Sequence, residues 1–254
     1  MTDDELRIEQ ARGRGVGLAS VLTVAMFSAF IITSWLALRD ASGGGNARRL
    51  IAIHEHKLPY VLSSFFLAVG SLLVAAMLAH IILAARSRSA LVPKVALFAT
   101  IAGPVLAAVV FPAFTLAQVS AAADFAAGAA HGEALARDLL GSTAIQVTTF
   151  LYMFAQAVVA SAWVMTGIYG MRIGLLTRLV GSVAIAIGIA NVIAPPFAAL
   201  LSVFWIGAMA ITLLGESAQT PPAWKLGRSV PWREVAAIAA AQGEDPADFE
   251  KPAQ

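Results

Sequence analysis

Five long stretches without a charged residue constrain this chain more than any other feature. They cover residues 16–38, 58–85, 95–117, 144–169 and 196–214. An α-helix rises 1.5 Å per residue, so roughly 20 apolar residues cross the bilayer's hydrocarbon core. Each stretch meets or approaches that length. A sixth, 179–194, is short alone; it reaches span length as 174–194 if its helix begins near Gly174 and Arg178 snorkels to the headgroups. Asn191 and the Pro195-Pro196 pair should break the apolar run over 179–214 into a tight hairpin, because proline disfavours helical geometry in the residue before it. A single kinked helix over that run would far exceed the bilayer. The expectation is an all-α, polytopic transmembrane helical bundle of six spans over residues 16–214. A leader, 1–15, precedes it and a tail, 215–254, follows.

Composition supports the membrane class. Of 254 residues, 59% are hydrophobic and 13% charged, and the mean hydropathy is +0.80. A soluble domain carries about 25% charged residues, so this chain lacks the polar surface to cover a water-soluble core. The net charge is +2 and its basic residues are dispersed, which argues against nucleic acid as a partner. With no cysteine, disulfides, thiol catalysis, iron–sulfur ligation and cysteine zinc sites are excluded together. Arg outnumbers Lys 13 to 4, a bias associated with high-GC bacteria, so the expected location is a bacterial cytoplasmic membrane. A cleaved signal peptide fits poorly. The first apolar stretch is too long and the leader mixes both signs of charge, so a retained signal-anchor is expected.

Basic residues in the loops set the orientation. Twelve fall on one side, in the leader, the second loop, the fourth loop and the tail; five fall on the other, namely Arg39, Arg48, Arg49, Lys57 and Arg137. The larger set should be cytoplasmic, placing both termini inside. The first outer loop, with four of those five, runs against the rule.

Outside the spans, the loop over 39–57 opens with Gly43-Gly44-Gly45 and closes with His54-Glu55-His56-Lys57. The loop over 118–142 is alanine-rich and holds a weak pattern for a short interfacial helix over 132–140. In the tail, Pro221-Pro222-Ala223-Trp224 and Val230-Pro231-Trp232-Arg233 place Trp224 and Trp232 as expected interfacial anchors, since indole suits the membrane boundary. A short helix over 233–242 and a disordered end are expected beyond them. The segment Arg172-Ile173-Gly174-Leu175-Leu176-Thr177-Arg178, the glycine-spaced span after it, the proline hairpin, Phe204-Trp205 and the Pro-Pro-Ala-Trp tail together resemble a group of uncharacterised actinobacterial multi-pass membrane proteins. The likeness covers about the last third of the chain. More loosely, the whole architecture is similar to a bacterial membrane family of unknown function with six or seven helices. The resemblance implies the topology and supplies no catalytic residues.

Chemistry is sparse. The central portions of the spans contain no Asp, Glu, Lys or Arg, so a proton pump with a buried carboxylate is not expected. His80 is the one in-span histidine, which leaves bis-histidine haem ligation without a second ligand; its plain reading is an interfacial residue. His54, Glu55 and His56 would form a metal site only on an extended segment and with help from His131; the competing reading is a solvated cluster facing headgroups. In the fourth span Thr149, Tyr152, Gln156 and Trp163 recur near helical spacing and share a face. They serve either hydrogen bonding between helices or the lining of a small-ligand cavity. Gly181, Ala184 and Gly188 should allow close packing, and Pro104 and Pro112 should bend the third span. No nucleotide-binding or hydrolase fingerprint appears in its required context, and no cofactor is expected. The sequence favours a non-enzymatic protein that binds a partner through helix faces or the tail. A small permease or lipophile-binding protein is the alternative, and a membrane enzyme with an outer histidine site comes third.

Overall fold

The computed structural model describes residues 2–41, 43–128, 132–215, 220–230 and 234. Among them are nine α-helices and no strand: α1 (Asp3–Leu38), α2 (Asn46–Glu55), α3 (Lys57–Arg88), α4 (Lys94–Ala127), α5 (Glu133–Leu140), α6 (Thr143–Ile173), α7 (Arg178–Ile193), α8 (Pro195–Leu214) and α9 (Pro222–Leu226). Five of these carry segments long and apolar enough to cross a membrane: Asp4–Ala41, Lys57–Arg88, Lys94–Ala127, Thr143–Ile173 and Phe197–Leu214. Their outward faces are apolar rather than polar. Phe204 is 76% exposed, Phe150 70% and Phe98 69%. Water would oppose that much bare aromatic surface, whereas lipid is a good solvent for it. The five helices therefore fit a multi-pass membrane protein.

The sixth expected span is shorter than the sequence suggests. Gly174 closes α6 with φ +79°, and the amides of Leu175 and Leu176 donate back to the Gly170 carbonyl. This left-handed cap ends one helix where the sequence reading began the next. Thr177 then caps α7, its hydroxyl accepting from the Val180 amide at 3.2 Å. The 16 residues of α7 rise only about 24 Å. At the other end, Ala194 separates α7 from α8, whose first turn contains the proline pair. The long apolar run is thus two helices.

Other segments are more helical than expected. The leader is not a separate element: α1 runs unbroken from Asp3, opened by a reciprocal cap between Thr2 and Glu5. The residues 118–127, read as loop, are the last turns of α4, and bury Gln118, Val119 and Phe125. The loop over 39–57 contains α2, which packs on α4 and α5. Leu50, Ile53, Val119, Phe125, Ala136 and Ile145 form a small second core there. Pro104 and Pro112 lie inside α4 without ending it.

The long helices and α7 form a closed ring in the order α1, α3, α4, α6, α7, α8, with α8 returning to α1 and α3 touching α6 across the middle. Small residues set the close approaches. A Cβ on Gly188 would lie 2.7 Å from the Ala160 carbonyl oxygen, and one on Gly103 would lie 2.9 Å from the Val159 nitrogen. The N-terminal part of α1 and the tail segment meet at one end of the ring, the terminal end. Helices α2 and α5 cap the other, the distal end.

Candidate functional site

Inside the ring lies a cavity of about 570 Å³, within the range of roughly 300–1,000 Å³ usual for ligand pockets. Seven helices contribute to its lining, five of them with residues at helical spacing. Tyr60, Ser63, Ser64, Leu67, Ser71 and Val74 form a stripe on α3, and Tyr152, Gln156, Val159 and Trp163 form one on α6. Pro104, Ala107, Phe111, Phe114 and Thr115 come from α4, Phe27, Phe30, Ile31 and Ser34 from α1, and Ala199, Leu200 and Ser202 from α8. Asn191 from the last turn of α7 and Pro195 at the start of α8 also line it.

Three of the four residues picked from the fourth span are therefore brought together. Thr149, a turn nearer the distal end, is half-buried and stands outside the lining. The Tyr152 ring sits between Phe111 and Phe114, with centroids at 5.2 and 5.1 Å. Its hydroxyl accepts from the Gln156 amide at 3.1 Å. A phenol donates one hydrogen bond, and among the described residues none accepts it from Tyr152. Trp163 meets Trp205 edge to face at 4.9 Å, and Trp205 donates to the Val180 carbonyl at 2.7 Å, which ties α8 to α7.

Most other polar groups in the lining donate along their own helices. Ser71 donates to the Leu67 carbonyl, Ser202 to Ala198 and Asn191 to Ile187. Each hydroxyl oxygen keeps acceptor capacity toward the cavity after that bond is made. The lining is thus apolar with a few oriented polar atoms, the usual composition of a small-molecule site.

The distal end carries the strongest polarity. Arg49 from α2 donates through Nη2 to Gln118 Oε1 at 2.9 Å, and the Tyr60 hydroxyl donates to the same oxygen at 2.7 Å. Arg49 also borders a surface hollow with Gly44, Gly45, Asn46 and Glu133, so it stands between cavity and surface. Glu133 accepts from the amides of Asn46 and Ala47 at 2.8 and 3.0 Å and thereby caps α2 from another helix. Those bonds, the one to Ala47 foremost, hold its carboxyl below the usual range. Arg49, Tyr60 and Gln118 escaped the sequence reading. The signal that was present is the serine-bearing stripe of the second span, which leads up to Tyr60.

The described histidines do not assemble. The segment is helical rather than extended there: His54 and Glu55 end α2 and are exposed, so His54 and His56 do not share the strand face a metal site would need. His56 pairs with Asp40 at 3.1 Å. No three His, Cys, Asp or Glu side chains group among the described residues; His131 lies outside them.

Trp224 also sits elsewhere than expected. It is 8% exposed, donates to the Leu175 carbonyl at 2.8 Å and stacks on His80 at 5.7 Å. It packs against protein at the terminal end, and His80 is buried beneath it. Beside it, Arg88 binds both oxygens of Glu9, the Ala84 carbonyl and the Ala223 carbonyl. Val230 donates to Ile173, which lays the tail over the Gly174 turn. Trp232 and the expected helix over 233–242, apart from Glu234, lie outside the described residues.

No family model, curated protein or solved structure matches the chain, so the reading of function rests on this geometry.

Proposed function

We propose that the protein binds a lipophile inside the membrane. The observation that carries this is the cavity at the centre of the helix ring, apolar over most of its wall and with Tyr152 and Gln156 oriented into it. A packing role for the fourth-span polar face would leave those groups closed against a neighbouring helix; here they border open volume instead. Six spans with both ends in the bacterial cytoplasm is the topology we propose with it. Its support is that Glu9, Arg88 and Ala223 meet at one end, which an even number of crossings produces and an odd number does not. On that reading α7 crosses despite its length.

The test is photolabelling of the full chain in bilayers with a diazirine-bearing long-chain alcohol. Labelling of cavity residues such as Ser71 and Tyr152 should be saturable and should be competed by unlabelled alcohol. Labelling of the outward Phe98 and Phe150 should rise without saturation. Ala199→Phe, which fills the cavity, should remove only the saturable component. Inward labelling that never saturates sinks the proposal.

Partner binding, which the sequence favoured, stays as a second reading because the segment through Val230 is clamped to the bundle. That clamp would hold anything captured by the residues that follow.

A further inference from the structure

The chemistry at the cavity mouth says more about the ligand than the cavity does. Arg49 borders both the cavity and the surface hollow, so its guanidinium stands where an amphiphile's head would rest. Among the described residues it meets only neutral groups, donating to a Gln118 oxygen and lying against the Tyr60 hydroxyl. It makes no ion pair among those residues, whereas Arg88 and Arg228 each hold a carboxylate. Glu133, the acid that lines the hollow, accepts from the amides of Asn46 and Ala47, one on each oxygen, and forms no ion pair with Arg49 among the described residues. A guanidinium offers five donors in a planar fork suited to a carboxylate or phosphate, and Arg49 has most of its donors to spare. Arg49 is exposed, so an anionic head can reach it from the surface.

We propose that the lipophile is an anionic amphiphile, with its apolar body in the cavity and a carboxylate or phosphate head on Arg49. This rests on the lipophile reading above. It also gives a role to Arg49, one of the first-loop basic residues that run against the expected charge bias.

Purified full-length protein in neutral detergent, loaded with a fluorescent neutral alkyl probe, tests this by displacement. The competitors are a long-chain carboxylate, the monoalkyl phosphate and the alcohol, all of one chain length. At least one anion should displace the probe at about tenfold to a hundredfold lower concentration than the alcohol, the scale of one charged hydrogen-bonding pair. Arg49→Gln should erase that advantage and leave the alcohol unchanged; Arg49→Lys should keep part of it. Arg48→Gln, a neighbour outside the cavity lining, should keep it all. An advantage for the carboxylate alone identifies a free fatty acid, and one for the phosphate identifies a lipid headgroup. If the alcohol competes as well as both anions, or if Arg49→Gln weakens all three alike, the inference is overturned while the cavity reading stands. If none of the three displaces the probe, both fall.

Discussion

Glu9→Ala is the most informative change at the terminal end. The Arg88 side chain is 0% exposed and Glu9 is 13% exposed, with Nη2 and Oε1 2.6 Å apart. The second arm of the fork spans 2.9 Å. Arg88 also donates to the carbonyls of Ala84 and Ala223, and its guanidinium lies 5.6 Å from the Trp224 ring. Removing Glu9 therefore strands a buried cation and loosens a junction shared by α1, α3 and the tail. Breaking a buried pair from one side costs about 3–5 kcal/mol. At roughly 2–4 °C per kcal/mol for a chain of this order of size, the unfolding midpoint should fall by about 6–20 °C. Tryptophan fluorescence during a thermal ramp in detergent reads it directly. Glu234→Ala is the control, because the Arg228–Glu234 pair is more than half exposed on both sides and such pairs contribute about 0.2–1 kcal/mol. Adding Arg88→Met to Glu9→Ala should recover part of the loss, since the stranded charge is then gone. A midpoint shift for Glu9→Ala no larger than that for Glu234→Ala would refute the reasoning.

Trp224→Ala removes a buried indole and should cost about 3–5 kcal/mol; limited trypsin digestion should then cut at Lys225 and Arg228 much faster than in the wild type. Because the chain has no cysteine, single cysteines report topology without background. Cysteine at Arg48 should react with an impermeant maleimide on intact cells, and cysteine at Arg228 only after lysis; reaction of both on intact cells contradicts the six-span topology. The depressed Glu133 carboxyl stabilises the α2 junction above the ordinary carboxylate range, and that contribution is lost as pH falls through its lowered folded value. Hydrogen exchange at the Asn46 and Ala47 amides, corrected for intrinsic rate, should therefore rise on acidification. Glu133→Gln should abolish that acid step, and an unchanged step would place its origin elsewhere.

The long helices were legible because hydrocarbon imposes one length and one composition on whatever crosses it. The end of α6 was not, because Gly174 reads as a permissive residue inside an apolar run until its left-handed cap is seen. The final turns of α4 escaped for a related reason. Residues 118–127 are good helix formers that also carry Gln118 and Asp124, so a rule tuned to apolarity drops them at the point where local propensity keeps the helix going. In the site, Tyr152, Gln156 and Trp163 announced themselves by spacing along one helix. Arg49 could not, because its position depends on α2 packing against α4 and on Glu133 capping it from 87 residues away. Trp224 carried the right propensity for an interface, yet the Gly174 turn presents it with the Leu175 carbonyl, a long-range contact that propensity does not encode.

The most direct test of the central claim is native mass spectrometry of the protein extracted in its own membrane lipids, beside Ala199→Phe prepared identically. The wild type should retain one lipophile per chain after the surrounding lipid is stripped, and the cavity-filled variant should retain none. A wild type that emerges bare, or a variant that keeps the same molecule at the same stoichiometry, would contradict the account.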